Sequence, residues 1–130
     1  MSGSFDVLKG ARLVVSGVAY RSDAVVPGDV FFCIPGFVHD GHDFAHDAVS
    51  RGAVAVVAQR PIDGLGPVPL ILVENARIAL AQASSRLFNT PSSQLDVIGI
   101  TGTNGKTTTT YILDSVMRAA GRTTGVIGTV

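Results

Sequence analysis

The residues best suited to chemistry form a glycine-rich stretch in the last third of the chain. Residues 102–108 read Gly-Thr-Asn-Gly-Lys-Thr-Thr and follow the apolar run 95–100. Glycines let the backbone approach a polyphosphate closely, and the N-terminus of a following helix adds N–H donors and its dipole. The sequence therefore predicts a strand, a phosphate-binding loop and a helix, in that order.

Each part of this loop has an expected role. Lys106 would reach the β- and γ-phosphates of ATP, which makes it the candidate catalytic residue, and the Thr107 hydroxyl would ligate the accompanying Mg²⁺. The candidate ATP contacts are Gly102, Thr103, Asn104, Gly105, Lys106, Thr107 and Thr108. One position departs from the strict pattern, because Ile100 stands where a glycine is expected and Gly99 comes one residue early. A glycine turn without a ligand is the alternative interpretation.

Composition narrows the class of partner. The chain has 10 Lys and Arg against 10 Asp and Glu, so no basic surface favours nucleic acid or a membrane. The apolar runs, such as 53–58, are too short to span a bilayer. Residues 1–6 lack the pattern of a signal peptide, and the single Cys33 has no partner for an internal disulfide. We expect a cytoplasmic protein.

The rest of the chain alternates between strand-like and helix-like patterns. A β segment broken at Gly17 is predicted over 13–20, and Asp43 and Asn75 are predicted helix N-caps. Further predicted strands are 30–34, 54–58, 70–73, 97–100 and 124–130, and the predicted helices are 43–51, 75–88 and 107–120, the last one ended by Gly121.

These elements predict an α/β protein with two parts. Residues 1–92 would form a small mixed α/β domain, and residues 93–130 the first β-α-β of a P-loop ATP-binding domain. The polar run 89–94 marks the boundary. Two parallel strands cannot bury both of their faces, and no later segment supplies a Mg²⁺-binding carboxylate. We therefore expect the second domain to be incomplete and the chain alone to be inactive.

Two blocks of sequence carry a family resemblance. The first is Gly102–Thr110 followed by Ile127–Val130. The second comprises Val26–Phe31, Gly36, Asp40–Phe44 and Gly52–Val57. Together they resemble the Mur ligases, and most closely the UDP-N-acetylmuramoyl-tripeptide synthetases of the MurE type. The similarity runs from about Val18 to Val130 and covers only the N-terminal quarter or so of such an enzyme.

The resemblance implies an ATP-dependent amide-bond ligase of peptidoglycan synthesis. It would add the third amino acid to UDP-MurNAc-L-Ala-D-Glu, so its substrates would be UDP-MurNAc-dipeptide, ATP and an amino acid. In this family the N-terminal domain binds the UDP part. The positions that match are Tyr20, Ser22, Phe37, Val38 and His39. One departure is that residues 21–23 read Arg-Ser-Asp, whereas the family usually has Asp-Ser-Arg.

Two other functions stay open. A MurF-type ligase, which acts at the next step, shares the Asp-Gly-His block, but Thr103, Thr110 and the run 128–130 favour the MurE type. The second is a non-catalytic module that binds a nucleotide or UDP-sugar.

The histidine-rich stretch 39–47 also permits a metal site, since His42 and His46 are four residues apart. Turn and capping residues around a substrate loop are the favoured interpretation.

Overall fold

The computed structural model of the chain describes residues 3–6 and 12–128. It divides into two compact units, Met1–Gln94 and Leu95–Val130. The helices are α1 (Ala45–Ser50), α2 (Ala76–Leu87) and α3 (Lys106–Ala119). The strands are β1 (Gly3–Asp6), β2 (Arg12–Val15), β3 (Gly17–Ala19), β4 (Asp29–Phe32), β5 (Ala55–Ala58) and β6 (Leu70–Leu72).

The first unit is built on a four-stranded parallel sheet in the order β3-β4-β5-β6. A separate antiparallel pair joins β1 to β2. All residues of β4 and β5 are buried, and both strands are continuous apolar runs apart from Asp29. Such runs are typical of parallel strands covered on both faces. The predicted mixed α/β class is confirmed, and β1 was not predicted.

Helices cover the sheet on opposite faces. On one face Phe31, Cys33 and Val56 pack with Ala45 and Ala48 of α1. On the other, Phe32 and Val57 pack with Val15 and with the partly buried Ala79, Leu80 and Ala83 of α2. The thiol of Cys33 is therefore enclosed, and this burial raises its pKa to about 12. The structure thus agrees with an unreactive core cysteine.

A tight turn sets the start of β4. The Asp29 N–H donates to the Val26 carbonyl over 3.1 Å, and Gly28 has φ +100°. Proline second and a positive-φ glycine third are typical of a type II turn. The Asp29 carboxylate is buried and accepts from the Val26 N–H over 3.1 Å. A Cβ at Gly17 would overlap this carboxylate, so a larger residue at the neighbouring position of β3 would displace it.

The helix predicted over 43–51 begins differently. A 3-10 helix, Gly41–Phe44, precedes α1, and its N-cap is Asp40, whose side chain accepts from the His42 N–H. The prediction of Asp43 as the N-cap is therefore wrong. Asp43 already lies inside the turn, because its own N–H donates to the Asp40 carbonyl over 3.0 Å. The predicted cap at Asn75 is confirmed, since its side chain accepts from the N–H groups of Arg77 and Ile78.

The second unit keeps its helix but lacks the predicted strands. Helix α3 ends in a Schellman arrangement, with Gly121 at φ +77° and the Arg122 N–H donating to the Met117 carbonyl. Residues 97–100 and 124–128 form no strand, and Val97 is 72% exposed. The described residues of this unit contain no strand with which either segment could pair, and isolated strand pairs are marginal. Residues 129–130 of the second prediction lie outside the described residues.

Candidate functional site

A cleft of about 430 Å³ opens at the carboxyl ends of β3 and β4. Its lining residues come from the segments that follow these strands and are Tyr20, Arg21, Ser22, Asp23, Ile34, His39, Gly41 and Phe44. In parallel α/β sheets, ligands bind preferentially at this edge. The cleft lies wholly within the first unit.

The structure brings together three of the five predicted UDP contacts. Tyr20, Ser22 and His39 line the cleft. Phe37 and Val38 do not; they are almost fully exposed in the loop 35–40. The other five lining residues were not among the predicted UDP contacts. Three of them, Arg21, Asp23 and Ile34, follow the end of β3 or β4 by two to four positions, and this placement is the signal that could have indicated them.

Arg21 and Asp23, whose order is the reverse of the usual Asp-Ser-Arg, form an ion pair at the cleft. Arg21 donates to both carboxylate oxygens of Asp23, over 3.1 Å from Nε and 2.6 Å from Nη2. This hydrogen bonding raises the pKa of Arg21 and lowers that of Asp23. Both side chains are mostly exposed, at 67% and 59%. The cleft therefore presents a guanidinium whose charge is already balanced.

Ser22, between these two charges, is linked to α1. Hydrogen bonding from the Ser22 side chain and then from Arg51 holds the pKa of the Asp47 carboxyl below its usual range. Arg51 donates from Nε to Asp47 over 3.0 Å.

The three histidines do not converge. His42 is buried, its Nδ1 lies 2.5 Å from Asp40 Oδ1, and its Nε2 accepts from the Gln59 N–H over 3.1 Å. Since an amide can only donate, the ring proton must sit on Nδ1. His46 Nε2 bonds the Asp63 carbonyl, and His39 packs edge-on against Phe44 in the cleft. Among the described residues no three His, Cys, Asp or Glu side chains form a metal-binding group.

Asp40 is the centre of a polar network beside the cleft. It accepts from the His42 backbone N–H over 3.0 Å and from the His42 ring, and Arg60 lies 3.2 Å from its other oxygen. These interactions, the backbone hydrogen bond first, lower the pKa of Asp40 to about 2. Asp40 is therefore ionised throughout the neutral range, and it acts as a fixed acceptor.

The loop 102–108, predicted to bind phosphate, places an uncapped helix N-terminus beside a lysine ammonium. Gly105 precedes α3 with φ +74°, and no side chain caps the helix. Lys106 Nζ donates to the Gly102 carbonyl over 2.5 Å, so the ammonium lies across the loop. An uncapped helix N-terminus and this ammonium fit a polyphosphate. Thr107 is exposed at the same turn and fits as a single protein ligand of Mg²⁺, which takes most of its ligands from phosphates and water.

Comparison with known proteins gives the class of protein. Residues 14–87 match the family described as Mur ligase family, catalytic domain. The matched residues make up more than half of the chain and lie ahead of the loop 102–108. The chain belongs to the Mur ligase family.

Particular relatives are similar over nearly the whole chain. UDP-N-acetylmuramoyl-L-alanyl-D-glutamate–2,6-diaminopimelate ligase from Geobacillus thermodenitrificans is 47% identical over 126 residues, covering 97% of this chain and 25% of the relative. The enzyme of the same name from Solibacter usitatus is 50% identical, covering 92% of this chain and 24% of the relative. The chain thus spans about a quarter of the length of these relatives.

Solved structures agree in fold. MurF from Acinetobacter baumannii has a TM-score of 0.65 at 29% identity, covering 88% of this chain and 24% of its own. MurF from Thermotoga maritima, solved in complex with ADP, has a TM-score of 0.61 at 32% identity, covering 81% and 24%. No helix of the described residues has the length and apolar character required to cross a membrane.

Proposed function

We propose that the chain is the N-terminal part of an ATP-dependent amide-bond ligase that adds the third amino acid to UDP-MurNAc-L-Ala-D-Glu. The cleft would bind the UDP end of that substrate, and the loop 102–108 would bind ATP. The observation that carries the proposal is the cleft at the carboxyl ends of β3 and β4, in which Tyr20, Ser22 and His39 meet. The names of the relatives support 2,6-diaminopimelate as the added amino acid.

The residues of the cleft suit a uridine nucleotide. Tyr20 is 60% exposed and offers an aromatic face for stacking on a base. Ser22 and His39 offer hydrogen-bonding groups, and Arg21 offers a guanidinium of the kind that binds phosphate. Phe37 and Val38, in the loop beside the cleft, provide apolar surface that a bound substrate could cover.

The proposed chemistry has two steps. The free D-Glu carboxylate attacks the γ-phosphorus of ATP, which gives an acyl phosphate and ADP. The amine of the incoming amino acid then attacks the acyl carbon, forms the amide and releases inorganic phosphate and a proton. The residues of this chain bind the reactants and stabilise charge. Lys106 stabilises the negative charge on the transferring phosphoryl group. When bound, Mg²⁺ would neutralise phosphate charge at Thr107.

The MurF-type function is the weaker candidate. The diaminopimelate ligases are 47% and 50% identical, whereas the MurF structures are 29% and 32% identical.

The proposed domain assignment follows from the proposed function, with residues 1–92 binding the UDP end and residues 93–130 beginning the ATP-binding domain. ATP and nucleotide-linked muramoyl substrates also favour a cytoplasmic enzyme.

Calorimetric titration of UDP into the 130-residue chain tests the cleft. We expect measurable binding, and Ser22→Ala should weaken it about five-fold, which is the net value of one hydrogen bond. Ser92→Ala is the matched control, because Ser92 is exposed and lies away from the cleft lining. The assignment fails when the wild-type chain binds no UDP, or when the two serine variants behave alike.

Testing the role of Lys106 requires a full-length ligase that contains this sequence. There, Lys106→Ala should lower kcat about 100-fold or more while the affinity for UDP-MurNAc-dipeptide stays unchanged, because the lost cation acts on the transferring phosphoryl group. A near-normal kcat would exclude the assigned role.

A further inference from the structure

The loop 35–40, which carries His39 into the cleft, has few interactions of its own. Its ends are joined by the bridge between Pro35 and Asp40, and the Gly36 N–H donates to the His39 carbonyl over 3.0 Å. Phe37 and Val38 are 108% and 85% exposed and so contribute no burial. Ordering such a loop costs conformational entropy, so the contacts that fix it must come from other elements.

The carboxyl-terminal end of the loop is held through the buried His42. Asp40 bonds His42, and His42 Nε2 accepts from the Gln59 N–H. The Gln59 side chain continues to the start of α2, donating to the Glu74 carbonyl over 3.1 Å and accepting from the Ala76 N–H over 3.3 Å. A Cβ at Gly41 would lie 2.5 Å from the Ile34 backbone nitrogen, so the chain is also tightly packed there.

The amino-terminal end of the loop is held by the Gly41 N–H, which donates to the Ile34 carbonyl over 3.0 Å, and by one side-chain contact from α2. Arg77 Nη2, in the first turn of α2, donates to the Pro35 carbonyl over 2.6 Å. Proline has no N–H of its own to donate, so its carbonyl is the backbone group through which this position can be anchored. The first turn of α2 therefore holds both ends of the loop, one through Gln59 and the other through Arg77.

We propose that Arg77 is a positioning residue, which fixes the loop 35–40 so that His39 faces the cleft. The inference rests on the proposed function in so far as the cleft is taken to bind UDP. Arg77 itself is absent from the cleft lining. Its effect on ligand binding would therefore act through the loop that it holds.

Amide hydrogen exchange followed by NMR on the 130-residue chain tests the positioning directly. In Arg77→Met, the Gly36 amide should exchange about ten-fold faster than in wild type, because the loop that it closes opens more often. The Cys33 amide, which donates to the Val57 carbonyl within the sheet, should be unchanged. Arg77→Lys should restore part of the protection, since an ammonium can also reach a carbonyl. Arg86→Met is the matched control on the same helix.

The same four proteins are then titrated with UDP. Arg77→Met should weaken UDP binding about five-fold, and Arg86→Met should leave it unchanged. Unchanged Gly36 exchange in Arg77→Met overturns the inference, and so does faster exchange with unchanged UDP affinity. Faster exchange in a chain whose wild type binds no UDP would leave the positioning of the loop standing and overturn the proposed function alone.

Discussion

At the scale of single residues, the pair Arg21 and Asp23 determines the charge that a ligand meets in the cleft. Asp23 places a carboxylate in the lining and holds the guanidinium through two hydrogen bonds. A bound diphosphate would be repelled by the Asp23 carboxylate. It would also compete with that carboxylate for the Arg21 guanidinium. Because both side chains are mostly exposed, solvent screens these effects and each should be modest.

Removing one charge at a time separates the two contributions. Asp23→Asn should bind UDP about three-fold more tightly, and Arg21→Ala about five-fold more weakly, because each changes one screened phosphate interaction. Calorimetric titration measures both affinities, with Asp63→Asn as an exposed carboxyl outside the lining for comparison. Equal affinities for both variants and the wild type would show that the ligand does not reach these charges.

Asp40 makes stability depend on pH. Its pKa is about 2 in the folded chain, against about 4 in an unfolded chain, so folding favours the ionised form. The stabilisation is present in full above about pH 4 and is lost as pH falls toward about 2. Asp40→Asn should remove this part of the pH dependence of the unfolding free energy, measured by urea denaturation at a series of pH values. Asp63→Asn should retain it, and identical slopes for Asp40→Asn and wild type would contradict the assignment.

At the scale of elements, the N-cap of α2 supports both the sheet and the loop beside the cleft. Asn75 Oδ1 accepts from the N–H groups of Arg77 and Ile78 over 3.0 and 3.1 Å. Asn75→Ala should lower the unfolding free energy by about 1 kcal/mol, the usual cost of losing such a cap. Asn75→Asp keeps an acceptor and should stay close to wild type. Denaturant titration compares the three proteins, and an Ala variant as stable as the Asp variant would contradict the role of the cap.

The elements that the sequence predicted are those whose signals are local. Asn75 and Gly121 mark helix ends through bonds to residues only two to five positions away, and they were recognised. The hydrogen bond from Arg77 to the Pro35 carbonyl joins residues 42 positions apart, and no sequence pattern indicates it. The segment 97–100 was wrongly predicted as a strand from its local composition. A strand also needs a neighbour to pair with, and the described residues of the second unit contain no strand that could supply one.

At the scale of the whole molecule, the two candidate sites fall in different units. Every residue that lines the cleft lies before Gln94, and the loop 102–108 lies after it. The polar segment between them contains Asn89 and Thr90, both at positive φ, and then the 3-10 helix Pro91–Gln94. Residues 1–94 therefore contain the whole sheet, α1 and α2, and all the hydrogen bonds described around the loop 35–40.

This separation predicts that residues 1–94 fold and bind without the second unit. The fragment should bind UDP within about two-fold of the 130-residue chain, because its cleft, its core and the Arg77 contact are all retained. Calorimetric titration gives the affinities, and thermal unfolding followed by circular dichroism checks that the fragment is folded. Ser22→Ala should weaken binding by the same factor in both proteins. A folded fragment that binds much more weakly than the longer chain would show that the second unit contributes to the uridine site.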